Sequence, residues 1–158
     1  MKLVLVAVLA GQSLVTQKAL SLPIAKTMAE AALAECKAKG FNTSVVVVDR
    51  AGQVLVSLRD ENATAQTMEM ARRKAYTARM FRMPTLEFQK RTQEPLYAAQ
   101  RDIADILALG GGMPVNVGND TIGGIASSGS SQPQDEACAK AGIAKVADQL
   151  KPYDLSKP

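Results

Sequence analysis

Between Thr64 and Arg82 the chain reads TAQTMEMARRKAYTARMFR, and the cations Arg72, Arg73, Lys74, Arg79 and Arg82 crowd its second half. Strong helix formers run through the stretch and Pro84 stands just beyond it, which predicts a helix. At helical spacing Met68, Ala71, Ala75 and Ala78 form a narrow apolar stripe, and Met70, Lys74, Thr77 and Phe81 form a second stripe that includes a lysine. Guanidinium groups give bidentate hydrogen bonds to carboxylates and phosphates, so one or two of these cations, with Tyr76, could border a pocket for such a group. The other reading is a solvated face tethered to acidic neighbours. Both stay open from the sequence.

Other chemistry is constrained more sharply. Histidine is absent, which removes the commonest metal ligand, the usual acid/base group near neutral pH and the histidine-dependent hydrolase triads. Gly110-Gly111-Gly112 precedes an apolar run, not a helix, and neither GxGxxG in a βαβ setting nor GxxxxGK[ST] occurs. The triplet therefore suits a sharp turn or a pocket wall that approaches another group closely. The stretch SSGSSQPQDE is a better candidate for an anion or ligand contact, because hydroxyls and backbone N–H groups gather before a helix. Asp135 and Glu136 in its first turn oppose an anion there and suit the helix dipole instead. Cys36 and Cys138 lack the spacing of a redox or zinc motif. They can form a disulfide in an oxidising compartment if their helices pack together, or remain two buried thiols.

The elements that must position these groups follow in order. Ser21 can cap a helix from Leu22 to about Lys39, with Pro23 in its first turn and Gly40 at its stop. The β-branched run Ser44 to Asp49 and the run Gln53 to Arg59 flank Arg50-Ala51-Gly52, an antiparallel hairpin with Asp49 and Arg50 serving its turn. After the basic helix, Thr85 can cap a short helix from Leu86 to about Thr92, and Glu94-Pro95 begins an irregular connection. Ile106–Leu109, Met113–Val117 and Thr121–Ser127 read as three further strands, giving five in all. Pro133 opens a last helix that extends to about Leu150. The pattern is α+β.

A chain of 158 residues is one domain of ordinary size, and 47% apolar with 22% charged residues is globular. With 4% aromatic residues, no tryptophan and a net charge of +4, nucleic acid is excluded as a partner. Lys2 and the apolar run Leu3 to Ala10 resemble the end of a secretory signal, with Ala10 at a cleavage position. The run is too short for a membrane span of roughly 20 residues. Residues 1–12 are thus expected to be a signal remnant or apolar leader and 13–158 a single domain, in the periplasm or secreted. A strand or docking tail in a cytoplasmic protein is the alternative.

The hairpin VVVVDRAGQVLVSLRDENA, the helix ARRKAYTARMFRMPT and the blocks LALGGGMPV, IGGIASSG and QDEACAKAGI together resemble the GlcG/HbpS-like family of haem-binding or haem-degrading domains, over roughly residues 13–150. The resemblance implies a profilin-like fold, with a five-stranded antiparallel sheet flanked by helices, and homo-oligomers such as dimers or octamers. It further implies the exported branch, and haem or a related tetrapyrrole as ligand. Many exported relatives carry a histidine just before the basic helix, where this chain has Gln66. Iron ligation would then fall to Met68, Met70 or Tyr76, of types that serve as axial ligands, and propionates would meet Arg72, Arg73 or Arg79. The candidate binding residues are accordingly Gln66, Met70, Arg72, Arg73, Lys74, Tyr76, Thr77, Gly110, Gly111 and Gly112. Two other functions stand beside this one: a sensor module for a small carboxylate metabolite, and an enzyme acting on one. For the enzyme no acid, base and nucleophile constellation stands out.

Overall fold

A run of five buried residues, Ser44 to Val48, forms the first strand and sits at the centre of the molecule. Its four consecutive valines do not alternate with polar residues, which is the pattern of a strand covered on both faces. The computed structural model describes residues 15–152; the expected leader, including Ala10, lies outside them. In chain order the elements are α1 (Leu22–Ala38), β1 (Ser44–Val48), β2 (Val54–Arg59), α2 (Gln66–Phe81), α3 (Thr85–Arg91), a 3₁₀ segment (Pro95–Asp102), β3 (Gly112–Val117), β4 (Asp120–Ser128) and α4 (Gln132–Lys145). The strands pair in the order β2-β1-β4-β3, and each neighbouring pair is antiparallel.

Because successive side chains of a strand point to opposite faces, β1 serves two cores. Val45 and Val47 join Ile125 and Val115 beneath Ala25, Met28, Ala29 and Ala32 of α1 and Ala139 of α4. Val46 and Val48 meet Ala126 beneath Ala71 and Ala75 of α2. The second interface is built from small side chains, so α2 lies very close to the sheet. A Cβ on Gly124 would collide with the Ala75 carbonyl oxygen, and one on Gly112 would lie 2.5 Å from the carbonyl oxygen of Lys74. This close approach fixes where the lysine leaves its helix.

Several sequence expectations are corrected. The described residues contain a four-stranded sheet, not a five-stranded one, because Ile106–Leu109 pairs with side chains and not with a strand. The Leu107 N–H donates to Thr77 Oγ1 at 2.9 Å and Arg73 Nη2 donates to the Ile106 carbonyl at 2.5 Å, so the segment clings to α2. The connection after Glu94 contains the 3₁₀ segment. Thr85 does not cap α3: its Oγ1 accepts the Gly112 N–H at 2.8 Å and so fixes the start of β3. Neither does Ser21 cap α1 through its side chain. The last helix ends at Lys145, although Val146 and Leu150 beyond it still pack into the core.

Candidate functional site

Lys74 belongs to the second stripe of α2, and the tight seat of that helix on Gly112 carries it past the end of β3 into the interior. Its side chain is 1% exposed. Nζ donates to Asp135 Oδ2 at 3.0 Å and to the Ser127 carbonyl oxygen at 3.2 Å. Asp135 stands in the first turn of α4, and its other oxygen accepts the Ser130 backbone N–H at 3.1 Å and the Ser130 hydroxyl at 2.7 Å. The ion pair thus connects the helix on one face of the sheet to a helix on the other. Gly111 makes room for it at φ +121°, where a Cβ would come within 2.7 Å of Asp135 Cβ and 3.0 Å of Lys74 Nζ.

Burial penalises the charged amine and pulls Lys74 below the usual lysine range, while the charge and hydrogen bond of Asp135 act in the opposite sense. Desolvation wins. The pair borders a cavity of about 300 Å³, at the lower end of the range of ligand pockets. One wall comes from Thr64, Gln66, Thr67 and Met70, the other from Ser128, Gly129, Ser130 and Gln132, with Leu109 between them. Some of these groups are committed: Thr67 Oγ1 donates to the Thr64 carbonyl at 2.7 Å, and Gln132 Oε1 accepts the Gly110 N–H at 2.9 Å. Among the described residues, the amide of Gln66, the amide hydrogens of Gln132, the Ser128 hydroxyl and the Met70 thioether remain uncommitted.

Of the residues expected from sequence, Gln66, Met70 and Lys74 line the cavity, and Gly110 and Gly111 shape its floor through Gln132 and the ion pair. Gly112 acts from beneath, by admitting α2. The other four are not in the lining, and their bonds explain why. Arg72 is held by Glu69 at 2.8 Å and Asp105 at 2.6 Å, Arg73 is held by the Ile106 carbonyl, and Thr77 bonds the Arg73 carbonyl and Leu107 N–H. Tyr76 packs over Gly52, where a Cβ would lie 2.7 Å from its ring. Arg79, the remaining candidate for a propionate, packs beside Gly124 within the field of Arg50 and Asp120, away from this cavity. Sequence reasoning singled out the stretch SSGSSQPQDE that holds Ser128, Ser130, Gln132 and Asp135, but did not join it to the basic helix or pair Asp135 with Lys74. The available signal was a lysine in an apolar stripe, which requires a buried acceptor somewhere in the chain.

Cys36 and Cys138 are joined in a disulfide that ties α1 to α4. The Ser127 hydroxyl donates to Cys36 Sγ at 3.5 Å, while the carbonyl of the same residue receives Lys74. Among the described residues no cluster of His, Cys, Asp and Glu could hold a metal ion, and no helix is long and apolar enough to cross a membrane.

An antiparallel sheet covered by helices on both faces, with a ligand-sized polar cavity at one end, defines an α+β domain with a candidate binding site. The chain belongs to the HbpS-like family, described as haem-degrading, whose model matches residues 20–144. An uncharacterised 15.0 kDa protein of Citrobacter freundii is 34% identical over 129 residues, covering 78% of this chain and 89% of that one. The structure of a doubly substituted Streptomyces reticuli HbpS matches with a TM-score of 0.81 at 38% identity, over 85% of this chain and 91% of that one. A PduOC:haem complex matches with a TM-score of 0.73 at 27% identity, over 80% and 94% of the two chains.

Proposed function

We propose that this protein is an exported, oligomeric binding protein for haem or a related tetrapyrrole, held without a histidine ligand at the mouth of the cavity beside α2. The donor set at that cavity carries the reading. The Met70 thioether is of an established axial-ligand type, Gln66 stands beside it, and the chain belongs to a family described as haem-degrading. These residues fit weak ligation from one side. A cavity of about 300 Å³ takes one edge of a macrocycle and not the whole ring. Arg72 and Arg73 are already bonded within the fold, so propionates would be met by the amides of Gln66 and Gln132. Titration with hemin is expected to shift the Soret band, and Met70→Ala to weaken binding about tenfold, a change of ~1.4 kcal/mol. A spectrum identical to that of free hemin overturns the reading.

Export and self-association rest on separate observations. The Cys36–Cys138 disulfide supports an oxidising compartment, where such bonds persist. Among the described residues the edge strand β2 pairs on one side only and leaves Val54 46% exposed, which supports pairing with a second copy. Light scattering should give a multiple of the 16.7 kDa chain mass; a monomer at micromolar concentration removes the oligomer from the proposal. The small-carboxylate reading has weaker support, because Lys74, the cation in the cavity lining, is already neutralised by Asp135.

A further inference from the structure

The cavity between α2 and α4 has an unusual balance of groups. Its ionic lining consists of Lys74 and Asp135, which cancel, so the cavity gives an anion no net electrostatic preference. Around the pair stand hydrogen-bonding groups without charge, chiefly the amides of Gln66 and Gln132 and the hydroxyl of Ser128. Such a lining recognises a small neutral molecule through carbonyl and hydroxyl oxygens.

The amine is arranged for more than a structural tie. An ammonium has three donors, and Ser127 and Asp135 occupy two, leaving the third uncommitted among the described residues on a side chain that lines the cavity. Asp135 is fixed in orientation by two bonds from Ser130, so its Oδ2 is a stationary proton acceptor 3.0 Å from Nζ. A lysine amine can surrender its proton when desolvated, whereas an arginine at this position would keep it. Burial favours the neutral amine here.

We propose that this cavity is a reactive-amine site which binds a small neutral aldehyde or ketone and holds it as a reversible imine on Lys74. Nζ first passes a proton to Asp135. Its freed lone pair then forms a C–N bond to the carbonyl carbon as the C=O π pair moves onto oxygen, which takes the proton back from Asp135. A second proton travels from nitrogen through Asp135 to the same oxygen, which leaves as water while the nitrogen lone pair forms the C=N bond. The ammonium loses two hydrogens to that water and keeps the third, so the protonated imine still carries one positive charge facing Asp135. Nothing is oxidised or reduced. The proposal goes beyond haem binding and does not rest on it.

Reductive trapping tests it. The full chain is incubated at neutral pH with glycolaldehyde and cyanoborohydride, without hemin, and the adducts are mapped by peptide mass spectrometry. Lys26 and Lys151, whose side chains are 65% and 71% exposed, are internal references for lysines that lie outside the cavity. Labelling of Lys74 is expected to be at least about tenfold faster than theirs, and to saturate with aldehyde concentration. Asp135→Asn, checked for folding by circular dichroism, removes the proton relay and should slow imine formation at Lys74, even though losing the carboxylate favours the neutral amine further. Should that variant fail to fold, saturation in the native chain still decides. Labelling of Lys26 and Lys151 with Lys74 untouched, or Lys74 labelling that is slow or unsaturable, overturns the proposal. Neither outcome depends on the hemin titration, so the two readings fail separately.

Discussion

Replacing Asp135 by alanine is expected to lower the unfolding free energy by about 3–5 kcal/mol, the cost of leaving one member of a buried ion pair alone. The side chains of Lys74 and Asp135 are 1% and 2% exposed, so water does not replace the lost partner as it would at the surface. Ser130 loses an acceptor for both its N–H and its hydroxyl at the same time. The remedy open to the variant is deprotonation of Lys74, which gives the effect a pH signature. Burial already holds the folded-state lysine below its usual range, and removing the carboxylate pushes it lower still. Between the folded and the ordinary value the unfolded chain binds more protons, so stability rises with pH across that window. The parent gains stability in the same way above its own folded value, so the deficit of Asp135→Ala should shrink with rising pH between the variant's lower value and the parent's, and then level off. Lys74→Met combined with Asp135→Asn removes both charges while keeping an oxygen for Ser130, and should recover most of the loss. Urea unfolding of the single and double variants measures these terms. A single-variant cost below about 1 kcal/mol, typical of an exposed pair, would show that water reaches the site.

The same pair shows where sequence reading stops. The β1–β2 hairpin was legible because valine runs and a Gly-containing turn act locally, and Asp49 Oδ1 does accept the Ala51 and Gln53 N–H groups within that turn. The α2 stripe of Ala71, Ala75 and Ala78 was legible from its period, and these residues are buried. Ile106–Leu109 misled because apolar character records burial and not the bonding partner. Its backbone found Thr77 and Arg73 on a distant helix, and no strand. The candidate site divides along the same line. Gln66, Met70 and Lys74 follow from position on one helix, whereas the acidic Asp135, correctly placed in a first helical turn, faces a lysine 61 residues away. Arg72 was among the cations put forward for the site from sequence, yet Glu69 one turn away and Asp105 occupy it. Residue type announced the chemistry available, and only the three-dimensional pairing decides which groups remain free to use it.

Removing the Cys36–Cys138 disulfide should cost about 4.7 kcal/mol if it acts through chain entropy, the value for a closed loop of about 100 residues; the separation here is 102. The bond is native and spans most of the domain, with α1 and α4 packed along the same sheet face, so no large rearrangement offsets that term. Urea unfolding of Cys36→Ala/Cys138→Ala, compared with the oxidised parent, measures the loss. A value below about 2 kcal/mol, under the usual cost of losing a native disulfide in a small secreted domain, would mean that the unfolded chain is already compact. The constraint acts on the unfolded state, and the native contacts of Lys74 do not include either sulfur. Reductive labelling at Lys74 should accordingly survive in the folded double-alanine variant. Asp135 nevertheless lies just one helical turn before Cys138, and Ser127 touches both Cys36 and Lys74. Loss of the disulfide and of Asp135 should therefore combine non-additively. Their separate costs sum to roughly the whole stability of a marginal domain, about 5–15 kcal/mol. The combined variant is then the sharper test of whether α4 is held at its amino-terminal end by two independent ties or by one coupled arrangement.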